Sequence, residues 1–328
     1  MTIRIGAART MLLAASLAGN LAKAADYPEK PVQIIADSAA GAAPDVALRF
    51  VAEALGRTWR QQAIVVNKPG AGGSVAARMA ADAAPDGYTL YQPVLSTFVS
   101  LNPPAPNVPL HLPKDFVPIG FVEENPMFIA VTPESGIKSL PDLIERAKKE
   151  PGKITYATTG IGRLTHLAGE LLQHEAKIKF LLVPYTGGPS HAVGDVATGR
   201  VDMIIEGYSG IAGPAKAGQI RLIATAAAKR LAEFPDVPAV SEFIPGFQAT
   251  GWAVLVAPLG TPAAIVNKIS ADLKTVTSQP ELQSQLARLG AYTNPMLADE
   301  TLAFVNKQQS IWQPVLDDIV KQQKAQGK

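Results

Sequence analysis

Two short stretches carry the residues best suited to hold an anion, and each falls where a strand-like run gives way to a helical pattern. The first is Ser38-Ala39-Ala40-Gly41-Ala42-Ala43-Pro44-Asp45. Its small side chains leave the backbone N–H groups open to a ligand. The helix start behind it adds about half a positive charge, worth roughly 0.3–1 kcal/mol to an anion there. The same residues also make an ordinary tight turn with Asp45 as the carboxylate of a helix start. The second stretch is Thr158-Thr159-Gly160-Ile161-Gly162-Arg163-Leu164-Thr165-His166. It offers hydroxyls, backbone donors, another helix start and one fixed cation in Arg163. An Arg in such a turn also serves as a solvated surface charge, and His166 as a hydrogen-bonded structural histidine. Placed on opposite sides of a cleft, the two loops would grip one carboxylate between them.

Patterns that would carry catalysis fail at defined positions. Gly207-Tyr208-Ser209-Gly210 is followed by Ile211, and Gly188-Pro189-Ser190-His191 by Ala192, so neither completes a G-x-S-x-G turn. His174-Glu175 has Ile178 where a zinc-binding H-E-x-x-H needs its second histidine. Gly152-Lys153 runs into Ile154 rather than Ser or Thr, which removes a Walker loop. Gly70-Ala71-Gly72 opens like a dinucleotide fingerprint, but Val75 stands in place of the third glycine. With 4 histidines and no cysteine, there is no thiolate nucleophile, disulfide or thiolate metal site, and no spacing of carboxylates marks a metal. No enzymatic activity, cofactor or metal is expected.

The elements that must position these loops alternate in type. Val32 to Ala36 reads as a strand, and Val46, Phe50, Val51 and Leu55 as one face of a helix. The unit repeats with strand Ala63 to Val66, helix Val75 to Ala84 and strand Tyr88 to Tyr91. Strands Ile119 to Val122 and Met127 to Val131 flank the polar break Glu123-Glu124-Asn125-Pro126, taken as a crossing between two lobes. Beyond it the logic recurs: helix Leu140 to Glu150, strand Ile154 to Ala157, helix Thr165 to His174, strand Phe180 to Val183, a helix to Thr198, and strands Val201 to Ile205 and Ile220 to Ala224. Residues 229 to 250 are irregular. Strand Trp252 to Ala257 and helices ending near Ser278, Leu289 and Gln323 complete the chain. Alternating strands and helices predict parallel sheets, and two exchanges of chain predict a cleft with two connecting segments.

At 328 residues, 47% hydrophobic and 18% charged, the chain has the material for two globular units. Arg4 and Arg9 precede an apolar run from Met11 to Leu21 that ends in Ala22-Lys23-Ala24, the layout of an export signal cleaved after Ala24. The run falls short of the roughly 20 residues that span a bilayer. Loss of Arg4, Arg9 and Lys23 takes the formal charge from +2 to −1. A nearly neutral chain without a Lys/Arg block offers no footprint for nucleic acid. The expected address is the periplasm, free of a lipid anchor, and the expected state a monomer. The units predicted are residues 1–24 as signal, 25–125 with 240–328 as lobe 1, and 126–239 as lobe 2.

In this order, several fragments resemble the Bug/TctC family, the periplasmic solute receptors of tripartite tricarboxylate transporters. They are Tyr27-Pro28 with Lys30-Pro31, Ala39-Ala40-Gly41 with Asp45, Asn67-Lys68-Pro69-Gly70-Ala71-Gly72-Gly73, and Pro85-Asp86-Gly87-Tyr88-Thr89-Leu90. They continue with His166-Leu167-Ala168-Gly169-Glu170-Leu171, Val183-Pro184-Tyr185, Pro235-Asp236-Val237-Pro238 and Pro258-Leu259-Gly260-Thr261-Pro262. The resemblance covers nearly all of the chain after the signal. It implies a two-lobed α/β periplasmic binding protein of type II, a Venus flytrap with its ligand cleft between the lobes. It also implies capture of a small organic carboxylate, partly through ordered water, and delivery to a permease of a small and a large integral subunit. The captured acid would be a di- or tricarboxylate, an acidic amino acid or an aromatic acid. Carried over by position, the ligand-binding residues are Ser38, Ala39, Ala40, Gly41, Ala42 and Asp45 in the first loop. In the second they are Thr158, Thr159, Gly160, Gly162, Arg163 and His166. Glu206, Gly207 and Tyr208 would face the ligand's distal end. A signalling receptor or an enzyme on the same scaffold are the alternatives.

The departures from the family pattern fall in these loops. Members usually read Pro-Phe or Pro-Tyr where this chain has Asp37-Ser38, and commonly carry Gly and Thr where it has Ala42 and Pro44. A Thr-Ser pair is usual at Arg163-Leu164, and an Asp-Asn pair at Glu206-Gly207. Pro44 removes a backbone N–H that Arg163 would replace with a two-pronged carboxylate clamp. Glu206 would favour a hydrogen-bond donor such as an ammonium or hydroxyl, and Tyr208 an aromatic or apolar body. Glu206 also reads as a hinge hydrogen bond.

Overall fold

The computed structural model describes residues 27–99, 111–186 and 189–325. The expected signal with its cleavage site after Ala24, most of the Pro-rich loop from Asn102 to Pro113, and the Gly187-Gly188 turn lie outside the described residues.

Nine strands are described: β1 Val32–Ala36, β2 Ala63–Asn67, β3 Thr89–Gln92, β4 Phe116–Val131, β5 Thr155–Thr158, β6 Leu181–Pro184, β7 Met203–Gly207, β8 Arg221–Thr225 and β9 Thr250–Pro258. The helices among the described residues are α1 Ala43–Trp59, α2 Ser74–Ala81, α3 Leu95–Phe98, α4 Leu140–Lys149, α5 Leu164–Ala176, α6 Pro189–Ala197, α7 Tyr208–Lys216, α8 Ala263–Thr277, α9 Pro280–Ala287 and α10 Ala298–Ala325. One sheet runs β2-β1-β3-β9-β4, and the other has β7-β5-β6 on one side of β4 and β8 on its other side. Each sheet belongs to one α/β lobe, and β4 belongs to both.

The expectation of parallel sheets holds only for the two ends of the strand order, away from the junction of the lobes. β1 pairs in parallel with β2 and β3, and β5 with β6 and β7, but β4 and β9 are antiparallel to every strand they touch. The reason is the route of the chain. β4 carries the chain out of the first lobe and β9 carries it back, so the two cross the junction in opposite directions.

The polar break expected between two strands is instead the middle of one, because Phe116–Val131 is continuous. Glu123, Glu124, Asn125 and Pro126 pair with Ala253, Trp252, Gly251 and Thr250 of β9, and from Met127 the strand pairs with β7. Two features let polar residues sit here. Glu123 and Asn125 share a face at strand period, and the Asn125 amide donates to both Glu123 oxygens at 2.7 and 2.6 Å. Pro126 cannot donate to a ladder, and it occupies the point where β4 changes partners.

Packing follows the same division. Val32, Ile34, Leu48, Val51 and Leu55 bury β1 against α1 on one side of the first sheet. Phe128, Ala130, Ala157, Ile204 and Ile211 bury the second sheet under α7. A third cluster runs through both lobes along β4 and β9, from Ile35 and Tyr91 through Phe121 and Trp252 to Ile129 and Tyr156. The last helix, α10, closes it: Phe304 stands edge-on to Phe121 at 5.1 Å and to Trp252 at 5.4 Å. Such aromatic pairs add about 0.5–1.5 kcal/mol each beyond their burial. No helix among the described residues is long and apolar enough to cross a membrane.

Candidate functional site

The first loop leaves the C-terminal end of β1 and enters α1. Asp45 shapes it from within. Its carboxylate accepts from the Gly41 N–H at 2.9 Å, the Asn67 amide at 2.8 Å and Arg49 Nε at 3.1 Å. Asn67 also donates to the Ser38 carbonyl at 3.0 Å, tying the loop to the end of β2. Gly41 has φ +80°, a backbone that only glycine adopts cheaply, and its N–H is spent on Asp45. The helix start itself, with Ala42 at the N-cap, has no side-chain cap, and Pro44 in its first turn supplies no N–H.

The second loop leaves β5 and enters α5, whose N-cap, Arg163, also lacks a side-chain cap. Thr165 gathers the loop. Its hydroxyl lies 2.9 Å from Thr158 Oγ1 and 3.1 Å from Thr159 Oγ1, and receives the Thr159 N–H at 3.3 Å. Gly160 keeps the turn open for the Arg163 stem: a Cβ there would stand 2.9 Å from Arg163 Cγ. His166 turns back on its own loop. Its Nδ1 accepts from the Gly162 N–H at 3.1 Å and its Nε2 stands 3.6 Å from Glu170. Burial lowers its pKa, so the neutral ring is the form this packing favours.

Between the loops lies a cavity of about 70 Å³, lined by Ser38, Ala42 and Pro44 from the first loop and Thr159, Arg163, Leu164 and Thr165 from the second. Glu206 closes its floor, Val94, Leu95 and Ser96 one side, and Asn125, Met127, Gly251 and Trp252 of the crossing strands the back. The lobes touch across it. Arg163 Nη2 donates to the Asp37 carbonyl at 3.0 Å and stands 3.6 Å from Asp37 Oδ1. Asp37 is fully buried, and its other oxygen accepts from the hydroxyls of Thr97 and Tyr91. Glu206 accepts from Thr159 Oγ1 at 3.1 Å and from the Gly207 N–H at 2.9 Å. Burial pushes its carboxyl up to about 7, against the lowering pull of those two bonds and of Arg163. The Ser38 hydroxyl and Asp37 Oδ1 are buried without a hydrogen-bond partner among the described residues.

The sequence-derived residues therefore divide. Ser38, Ala42, Thr159, Arg163 and Glu206 meet at the cavity. Asp45, Thr158 and His166 lie behind it and hold the loops in shape. Ala40 and Gly41 are exposed and Ala39, Gly160 and Gly162 half-buried, all outside the lining. Gly207 marks a close approach of the lobes, since a Cβ there would meet Ala43 Cβ at 2.4 Å. Tyr208 is not brought to the cavity. Its ring packs on Phe128 and Phe234 at 5.5 and 4.5 Å. The strand residues Asn125, Gly251 and Trp252 and the turn at Val94 were missed, because nothing in their local pattern separates a cleft wall from a core. Asp37 stood out in the sequence only as a departure.

A larger hollow of about 380 Å³ lies elsewhere, between α5, α10 and the segment 245–250, and neither loop contributes to it. Among the described residues no group of His, Asp or Glu is placed to hold a metal.

Residues 47–320 match the family model described as tripartite tricarboxylate transporter family receptor. A UPF0065 protein of Bordetella bronchiseptica is 34% identical over 306 residues, covering 92% of this chain and 90% of that protein. Among solved structures, the periplasmic binding protein BugD superposes with a TM-score of 0.81 at 30% identity, over 89% of this chain and 98% of BugD. MatC of Rhodopseudomonas palustris, solved with bound malate, gives a TM-score of 0.79 at 27% identity, over 90% of this chain and all of MatC, 100%. The two-lobed periplasmic-binding-protein architecture expected from sequence is the one these neighbours share.

Proposed function

Because the chain belongs to the tripartite tricarboxylate transporter family of receptors, we propose that it captures a small organic carboxylate between its lobes and presents the closed form to a membrane permease. The family is one of periplasmic solute-binding proteins, and the neighbour MatC holds malate. The observation that carries the reading is the convergence of two uncapped helix starts, α1 from one lobe and α5 from the other, on one small cavity. Each contributes residues of its first turn to the lining, and the positive end of a helix dipole lies beside the cavity. A cavity of about 70 Å³ is small beside the roughly 300–1,000 Å³ of pockets for drug-sized ligands, and it suits a short acid.

On this reading the chain is exported with cleavage after Ala24, acts as a monomer without cofactor or catalysis, and hinges where β4 and β9 pass between the lobes. The lobes are residues 25–125 with 240–328, and 126–239. Ligand binding favours the closed arrangement because only there do both loops reach the same molecule. The test is a thermal-shift screen of the purified protein against short organic acids. At about 100 times its dissociation constant a true ligand stabilises by roughly 2.7 kcal/mol, raising the melting temperature measurably. A screen in which no acid moves the transition would remove the proposal.

A further inference from the structure

The hollow of about 380 Å³ that lies away from the two loops is large enough to hold a small molecule, since ligand pockets run from roughly 300 to 1,000 Å³. Its walls come from segments far apart in sequence. Leu171 and Glu175 belong to α5, Phe304 and Trp312 to α10, and Glu124 and Trp252 to the crossing strands. The rings and Leu171 give it an apolar interior, and Ile311 in the same lining keeps 51% of its surface exposed.

Charge in the lining is of one sign. Glu124 and Glu175 supply carboxylates, and among the described residues no lysine or arginine lines the hollow. The Glu124 backbone is held from both sides: it pairs with Trp252 in β9, and its N–H and carbonyl bond to Tyr292 at 2.7 and 2.8 Å. Its carboxylate makes no hydrogen bond or ion pair with a described residue, and burial raises its pKa with no cation acting against that rise. Glu175 is 42% exposed, with His174 Nδ1 at 3.1 Å. Aromatic rings add to the same preference, because the negative charge density on their faces attracts cations. An anion in this hollow would meet two like charges, whereas an ammonium on an apolar skeleton is complementary to both the carboxylates and the rings.

We propose that this hollow is a second binding site, for a small organic cation that carries a primary or quaternary ammonium on an aromatic or branched apolar skeleton. The ammonium pairs with Glu124, Glu175 adds to the negative potential, and the skeleton lies against Trp252, Phe304 and Trp312. The site shares Trp252 with the inter-lobe cavity and no other lining residue. It therefore stands independently of what that cavity captures.

The experiment is isothermal titration calorimetry on the purified protein at about pH 8, where an alkyl ammonium is charged. The probes are phenethylammonium and benzyltrimethylammonium, with phenethyl alcohol as the uncharged match. At least one cation is expected to bind about tenfold or more tighter than the alcohol. Glu124→Gln is expected to weaken that cation about tenfold and Glu175→Gln about threefold. Because Glu175 is exposed, its variant keeps the fold and decides the matter if Glu124→Gln is poorly folded. No heat from either cation, equal affinity for the alcohol, or wild-type affinity in every folded variant would each overturn the site.

Discussion

At the scale of single residues, the site is decided by which groups already have partners. Asp45 is a carboxylate beside the first loop, and its bonds to Gly41, Arg49 and Asn67 all stay within its own lobe, so it shapes the loop. Arg163 is the reverse case, a surface-type residue drawn across the cleft to Asp37. Its side chain is 22% exposed while that of Asp37 is fully buried, so the pair is screened on one side only. Arg163→Ala is expected to raise the dissociation constant for the captured ligand tenfold or more, about 1.4 kcal/mol. Calorimetric titration checks this, and an unchanged affinity would mean that the cross-cleft bond plays no part in capture. That Asp37 and Arg163, two of the departures from the family pattern, meet each other was not readable from sequence. They are 126 positions apart, and neither has a local pattern that names its partner.

At the scale of elements, most of the chain was legible because strands and helices announce themselves by period. The exceptions are instructive. α7 went unread because Gly210, Gly213 and Pro214 all weaken a helix in isolation, and tertiary burial of Ile211 and Ala212 supplies what propensity withholds. The pattern reads β4 as two strands because a run of three polar residues before a proline normally ends one. Here Asn125 donates to Glu123 inside the strand and satisfies it. The start of α7 also sets how closely the lobes meet. Gly207→Ala would place a methyl 2.4 Å from Ala43 Cβ, and the first lobe would have to retreat. The expected outcome is a folded protein with an unchanged far-ultraviolet circular dichroism spectrum and at least tenfold weaker ligand binding by calorimetry. Binding at wild-type strength would show that closure is looser than this contact implies.

At the scale of the whole molecule, the two shared strands join the lobes and also bury charge between them. Glu123 is buried in β4, and Glu206 is buried near the end of β7. Burial raises the Glu123 carboxyl to about 8, partly offset by Asn125, and the Glu206 carboxyl to about 7, each from an ordinary 4.5. A carboxyl with a raised folded-state pKa holds its proton more tightly in the folded protein than in the unfolded chain. Its contribution to stability is complete below about pH 4.5 and is lost as the pH rises through about 7 for Glu206 and about 8 for Glu123. The urea midpoint of the free protein is therefore expected to fall between about pH 5 and about pH 8, and Glu123→Gln to flatten that fall. A midpoint that climbs over the same interval would contradict the burial of these groups.

What the sequence determined by itself were the properties carried by local pattern. These include the alternation of strands and helices, the two small-residue loops at helix starts, the absence of catalytic motifs, and the family. Each depends on residues a few positions apart, whose period or spacing has one physical meaning. The tertiary structure decided where side chains end up. It sent Tyr208 into an aromatic cluster and turned His166 onto its own loop, and it placed Asn125, Gly251 and Trp252 of two crossing strands at the back of the cavity. It also brought Asp37 to Arg163 across the cleft. Those outcomes turn on contacts between distant segments, which exist only once those segments have met.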